Sequence, residues 1–297
     1  MAFRSGSVAI VGKPNVGKST LVNFAVGSKV AIVSDKPQTT RKALLGVANL
    51  PLAQIAFYDT PGIHAPHSKL GRAMVDAALQ TLHEGDAAIF VVDVSKPPSD
   101  EDKRIVRMLR DFGIEKVVVA LNKMDRLRPE YVQSNYEDYE ALTAPAPMMM
   151  TSAITGDNVD KLLELIEPLL PEGPPLFESD FYTNQSMRDM AAELIREQIL
   201  HNTREEVPHG VAVVIDEWVD LESSADIVRI AASIIVERES QKPILIGKRG
   251  VMLKKIGTAA RAEIEDLIGA HIFLELFVKV KEHWRDSPPR LREIGLI

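Results

Sequence analysis

The sequence predicts an α/β unit with a mostly parallel sheet and helices on both faces, followed by a smaller α+β unit. Short apolar runs alternate with helix-spaced stretches over residues 7–169, the order that builds a parallel sheet. Two of the runs, 87–94 and 116–122, are almost continuously apolar, as strands covered on both faces are. After a stretch rich in proline and acid at 170–180, the order changes to helix, strand, strand, helix, helix, strand.

Element by element, residues 7–11 form an apolar strand ending in a glycine turn, and 18–26 continue as a helix. Residues 42–50 and 54–59 read as two strands joined by a tight turn at Leu50-Pro51, and 70–84 have helical spacing. Between the two apolar runs, Ser99 and Asp102 have the spacing of a capping box that opens a helix over 101–112. Residues 148–152 are the expected last edge of the sheet and 159–169 the closing helix. The first domain is assigned to 1–170, a linker to 171–180 and the second domain to 181–297. In the latter, 187–201 and 251–269 read as helices, and 211–219, 227–237 and 271–280 as strands.

Composition bounds the function. A chain of 297 residues, 45% hydrophobic and 26% charged, is long enough for two cores and has globular proportions. Cysteine is absent, which excludes disulfides, thiolate metal sites and a cysteine nucleophile, and fits the cytoplasm. No run of about 18 apolar residues is present to span a bilayer, and the N-terminal residues lead into a glycine turn rather than a signal-peptide cleavage site. A formal net charge of −7 argues against an indiscriminate nucleic-acid coat, so any basic site has to be local.

Gly12-Lys13-Pro14-Asn15-Val16-Gly17-Lys18-Ser19 matches G-x-x-x-x-G-K-[ST] and sits between a strand and a helix. Its glycines let backbone amides converge on phosphate oxygens, and the helix N-terminus adds a favourable dipole. Lys18 would reach the β- and γ-phosphates and the Ser19 hydroxyl would ligate Mg²⁺, with Gly12, Asn15, Val16, Gly17 and Thr20 completing the phosphate-binding set. This loop specifies a nucleoside triphosphate without choosing the base. Asn122-Lys123-Met124-Asp125, at the end of an apolar strand, chooses it. The Asp125 carboxylate can accept two hydrogen bonds from guanine, whereas adenine would leave a buried Asp125 unpaired. Asn122 and Lys123 would brace the loop. Asp59-Thr60-Pro61-Gly62 adds a carboxylate for Mg²⁺ through water and the Gly62 amide as a γ-phosphate sensor, and Ser152-Ala153 lies where a backbone amide could meet the guanine O6. The plainer readings are a glycine-rich turn, a polar loop and a proline turn.

In this order, with a threonine before Arg41, these motifs resemble the Era, Der and TrmE group of GTPases. The resemblance implies that Thr40, with Thr39 the less favoured choice, carries the Mg²⁺ and γ-phosphate contact of a first switch over 28–42. A second switch would cover 59–70. It also implies catalytic roles for Lys18, Thr40 and Gly62, and metal ligation by Ser19, Thr40 and Asp59. One position departs from Ras-like enzymes: Ile63 stands where a glutamine orients the attacking water. In relatives with this substitution a P-loop asparagine helps hold K⁺, and Asn15 is at the matching place. A purely structural role for Asn15 is the plainer reading. His64 and His67 read as part of an exposed loop.

Residues 241–262 carry six basic residues (Lys242, Lys248, Arg249, Lys254, Lys255, Arg261) and no acid. At the centre is Gly247-Lys248-Arg249-Gly250, between Ile244-Leu245-Ile246 and a helix starting near Val251. Two glycines around two cations allow close approach to sugar-phosphate, as in the G-x-x-G clamp of the KH fold, which holds about four nucleotides of single strand. The element order is that of a type II KH domain. Lys254, Lys255 and Arg261 extend the RNA-binding set, and with aromatics scarce, grip would come from backbone, aliphatic packing and charge. A basic solvated helix face is the plainer reading.

A single GTPase domain followed by such a domain resembles the Era family in particular, as do Ile256-Gly257-Ala260-Arg261, the stretch 274–281 and Trp284. A second P-loop, expected of Der, is absent, and a P-loop at residue 12 does not follow a folate-binding domain as in TrmE. The resemblance implies binding to single-stranded RNA, the 3′ end of small-subunit ribosomal RNA, and a role in small-subunit assembly. A slow GTPase stimulated by RNA or K⁺ is expected, acting as a monomer on GTP and GDP. One alternative is an RNA-binding protein whose nucleotide is structural and barely hydrolysed, which Ile63 keeps open. Another is a metabolic P-loop kinase or ATPase, which Asn122-Lys123-Met124-Asp125 opposes. Residues 285–297 could touch RNA or the inner face of the cell membrane, and nothing in them chooses.

Overall fold

The computed structural model describes residues 2–36, 39–62, 68–204, 207–220 and 227–296. They divide into two compact units, one of Met1–Val33, Thr40–His67 and Gly71–Asn184, the other of Ser34–Thr39, Ser68–Leu70 and Gln185–Ile297. Ile63, His64 and His67 lie outside the described residues. No helix among the described residues is long and apolar enough to cross a membrane.

The elements of the first run β1 (Arg4–Val11), α1 (Lys18–Val26), β2 (Leu44–Asn49), β3 (Ala53–Asp59), α2 (Lys69–Glu84), β4 (Ala87–Asp93), α3 (Asp100–Asp111), β5 (Val117–Asn122), α4 (Val132–Thr143), β6 (Met148–Met150) and α5 (Val159–Ile166). The six strands form one sheet in the order β2-β3-β1-β4-β5-β6, with β2 antiparallel to β3 and every other pair parallel.

The continuous apolar runs work because side chains alternate between faces with a period of two. Val8 and Ile10, Ile89 and Val91, and Val118 and Ala120 enter one core with Leu21 and Val22 of α1 and Leu162 and Ile166 of α5. Their neighbours Ala9 and Val11, Phe90 and Val92, and Val119 and Leu121 enter a second core with Ala78, Ile105, Leu109 and Tyr139 from α2, α3 and α4. Each fully buried Val or Ile contributes about 1.5–3 kcal/mol. Ser99 and Asp102 form the expected capping box, with acids at the first three positions of α3 facing the positive end of its dipole.

Two regions differ from expectation. α4 has no counterpart among the expected elements. Its buried residues, Asn135, Tyr139 and Thr143, are polar or aromatic at intervals of four, so it carries no apolar stripe. Residues 171–180 are not a loose linker. Ser5 donates its amide to the Pro171 carbonyl and its hydroxyl to the Pro174 carbonyl, while Gln54 Oε1 accepts from the amides of Leu176 and Phe177. Phe177 and Phe181 stack at 4.8 Å and pack against Leu45, Val47 and Ala56, and the Val47 amide donates to Tyr182 O. The first unit therefore runs to Asn184 rather than to 170.

In the second unit α6 (Met187–Asn202) precedes β7 (Ala212–Asp220) and β8 (Ile227–Val236). Then come α7 (Lys242–Ile246), a 3₁₀ turn over Lys248–Gly250, α8 (Val251–Ile268), β9 (His271–Val280) and a short α9 (Pro288–Glu293). The sheet order is β7-β8-β9, antiparallel then parallel, with a bulge between Ile215 and Glu217. Ile195, Ile199, Ile230, Ile234, Ile256 and Ile264 are fully buried, and Trp284 is buried with Nε1 donating to the Gly210 carbonyl at 3.0 Å.

Candidate functional site

The parallel strands deliver polar residues to one edge of the sheet. Register places Ile10 beside Asp59 and Asp93 beside Asn122, so the last residues of β3, β4 and β5 stand in a row behind the loop that follows β1. That loop needs backbone that only glycine and asparagine adopt readily: Asn15 has φ 64° and Gly17 φ 99°. Gly17 is the N-cap of α1 and supplies no side chain, so the amides of the first turn stay free to face an anion. Thr20 sits in that first turn. Lys18 is buried and its Nζ donates to the carbonyls of Gly12 at 3.2 Å and Lys13 at 3.1 Å. Burial lowers its pKa from 10.5 to about 8, while the Asp59 charge acts in the opposite sense. An ammonium so placed gains strongly from a phosphate counter-charge.

Beside it, Ser19 Oγ donates to Asp59 Oδ2 at 2.6 Å, Thr40 Oγ1 to the same oxygen at 3.1 Å, and the two hydroxyls are 2.9 Å apart. Asp59 is wholly buried and its Oδ1 has no hydrogen-bond partner among the described residues. Burial raises the Asp59 pKa, against the Lys18 charge and the two hydroxyl bonds. Among the described residues no cluster of three or more His, Cys, Asp or Glu side chains could hold a metal alone. One carboxylate and two hydroxyls, all hard oxygens, suit a Mg²⁺ that takes its remaining ligands from phosphate and water. Thr40 rather than Thr39 stands in this cluster; the Thr39 hydroxyl donates to the Lys36 carbonyl. Thr60 Oγ1 donates to the Ile10 carbonyl at 2.7 Å, and Gly62 lies so close to the loop that a Cβ there would meet Pro14 N at 2.9 Å.

Asn122 ties the base loop to the phosphate loop. Its Nδ2 donates to the Val16 carbonyl at 2.7 Å and its Oδ1 accepts from the Ala153 amide at 2.9 Å. Lys123, at φ 66°, donates from Nζ to the Asn15 carbonyl and to Asp93 Oδ2 at 3.0 Å. Asp125 stands exposed in a 3₁₀ turn past the sheet edge, with Ser152 Oγ donating to its Oδ1 at 2.7 Å.

Asp93 was missed by the sequence reading. Burial pushes its carboxyl up, but bonds from Ser95 and Lys123 hold it below the usual range, so it remains an anion that fixes Lys123. A carboxylate ending an apolar strand at the ligand-bearing edge was the available signal.

In the second unit the G-x-x-G turn is built on three positive φ values, Gly247 at 71°, Arg249 at 54° and Gly250 at 79°. A Cβ on Gly247 would lie 2.7 Å from Met252 Cβ. Lys248, Arg249 and Lys255 join Gly247, Val251 and Met252 around a recess of about 510 Å³. Lys254 and Arg261 are exposed farther along α8 and do not line it. Among the described residues Lys248, Arg249, Lys254 and Lys255 have no carboxylate partner, which leaves the turn strongly positive. Met252 and Val251 give the recess an apolar wall.

Comparison with known proteins assigns a family to each unit. The family model described as 50S ribosome-binding GTPase matches residues 7–123, and the KH domain model matches residues 206–285. The GTPase Era of Heliobacterium modesticaldum is 47% identical over 293 residues, covering 99% of this chain and 97% of that protein. A crystal structure of an Aquifex aeolicus Era variant bound to GDP and AlF₄⁻ superposes with a TM-score of 0.94 at 41% identity, covering 99% of each chain. An Era structure with MgGDPNP and nucleotides 1506–1542 of 16S ribosomal RNA gives a TM-score of 0.94 at 42% identity, again over 99% of each chain.

Proposed function

The chain belongs to the Era family of GTPases, and from that premise we propose that it is a GTP-hydrolysing switch that binds the 3′ end of small-subunit ribosomal RNA during subunit assembly. The observation that carries this reading is the presence, in one chain, of a guanine-type nucleotide site and a positive G-x-x-G recess. Membership removes the metabolic kinase or ATPase alternative.

Lys18 would leave neither loop carbonyl as it turns to the β- and γ-phosphates, so the transferred phosphoryl meets a fixed cation. Ser19, Thr40 and Asp59 would hold Mg²⁺, which neutralises charge on the β- and γ-oxygens. The Gly62 amide would face the γ-phosphate, and water attacks the γ-phosphorus in line as GDP departs. Asp125 would accept from guanine, with Ser152 holding its carboxylate and the Ala153 amide, fixed by Asn122, near O6. Asn15, bent to φ 64° at the phosphate edge, is the proposed K⁺ ligand; equal turnover in K⁺ and Na⁺ would exclude this. The reading places the protein in the cytoplasm.

Crosslinking of the intact protein to ribosomal RNA, with GTP and then GDP, tests the partner and the switch together. A crosslink at the 3′ end of the small-subunit RNA whose yield depends on the nucleotide is expected. Absence of any ribosomal RNA crosslink in either state would refute the proposed partner.

A further inference from the structure

Lys13 turns its side chain away from the phosphate loop. Its Nζ lies 2.7 Å from Asp102 Oδ2 and 3.1 Å from Ser99 Oγ. Asp102 is wholly buried. The oxygen that holds the lysine also accepts the Ser99 amide at 2.9 Å and the Ser99 hydroxyl at 2.6 Å, so one carboxylate closes the cap of α3 and anchors residue 13. Its other oxygen, Oδ1, is buried and has no hydrogen-bond partner among the described residues. A neutral cap would serve α3 without a buried charge, since desolvating a carboxylate is costly unless it is paired. The pairing therefore points to the lysine.

At its backbone end, the same Lys13 presents the carbonyl that accepts from Lys18 Nζ at 3.1 Å. Residue 13 is thus fixed in two directions, by its ammonium outward to α3 and by its carbonyl inward to Lys18. We infer that Asp102 is a positioning residue for the triphosphate: through Lys13 it fixes the carbonyl that aims Lys18. This rests on the nucleotide site proposed above and adds α3 to it. The competing arrangement, in which Lys13 serves to attract phosphate and Asp102 merely neutralises it, makes the opposite prediction. There, removing the carboxylate charge would release a cation toward the ligand and tighten binding.

The experiment measures affinities of the full-length protein for a non-hydrolysable GTP analogue and for GDP, in Asp102→Asn, Lys13→Met and the double variant. Asp102→Asn is expected to weaken the analogue about tenfold, the scale of one charge-assisted hydrogen bond, and GDP only about two- to threefold. Lys13→Met should reproduce that selective loss, and the double variant should be no worse than either single one. Ile105→Val, on the buried face of α3 itself, should lower the melting temperature without changing the ratio of the two affinities. Unchanged or tighter analogue binding, additive losses, or equal losses for both nucleotides would overturn the inference. Where Asp102→Asn does not fold, Lys13→Met decides by itself. An unaltered protein that binds neither guanine nucleotide would overturn the nucleotide site, and this inference with it.

Discussion

Replacing Gly17 by alanine asks whether the phosphate loop and the base loop are one structure. Gly17 has φ 99°, and a Cβ there would lie 2.3 Å from Asn122 Nδ2. Asn122 cannot retreat without giving up the Val16 carbonyl at 2.7 Å and the Ala153 amide at 2.9 Å. A non-glycine residue in left-handed backbone costs roughly 1–2 kcal/mol. Two buried hydrogen bonds add about 1 kcal/mol each, and more where a partner is left unpaired. The total of about 3–4 kcal/mol, if it falls on the binding-competent loop, weakens GDP by roughly two to three orders of magnitude. Titration with a fluorescent guanine nucleotide reads the loss, and a melting curve shows that the fold persists. Gly27→Ala is the control. It has φ 73° but, among the described residues, nothing within 4 Å of its Cβ, so it should cost roughly 1–2 kcal/mol of stability and leave affinity unchanged. GDP binding by Gly17→Ala within about fivefold of the unaltered protein would refute the coupling through Asn122.

Lys18→Ala should abolish triphosphate binding in the same titration, because on the proposed reading the buried cation held by the Gly12 and Lys13 carbonyls would be the charge the phosphates meet. Retained affinity would contradict the phosphate site. Asp125→Asn should move base preference from guanine to xanthine, since the exocyclic position would then need an acceptor; competition between GTP and XTP measures it, with GTP weakened by about 100-fold. Lys248→Asp with Arg249→Asp should abolish binding to single-stranded RNA while leaving nucleotide affinity intact. The neutral pair Lys248→Ala with Arg249→Ala, which removes two cations and keeps residual binding, should flatten the salt dependence by about 1.4 in log–log slope. Loss of both ligands would show that the two sites are not separable.

Much of the first sheet was legible because strands buried on two faces leave unbroken apolar runs, and the residues that end them, Asp59 and Asn122, reach the ligand edge by register alone. α4 was not legible, because a helix buried through Asn135, Tyr139 and Thr143 has no apolar period to read. The packing of 171–180 was missed for a related reason. Proline and acid composition signals irregular backbone, but the hydrogen bonds that hold this segment come from Ser5 and Gln54, far away in sequence. In the candidate site, motifs named residues that the structure gathers at the sheet edge, yet not the carboxylates behind them: Asp93 belongs to no motif, Asp102 read only as a helix cap, and each pairs with a lysine far away in sequence, Lys123 and Lys13.

The segment that leaves the first unit also settles how its sheet ends. β2 is an outer strand, and an outer strand offers unpaired amides and carbonyls as a template for another chain. Here Thr183 bridges Gly46 and the Tyr182 carbonyl takes the Val47 amide, so the chain occupies its own margin. Phe177 and Phe181 cover the apolar residues alongside. Cutting the chain at residue 170 would remove this cover as well as a connection, and would leave a sticky border where self-association begins. The few residues after the GTPase fold act as its hem.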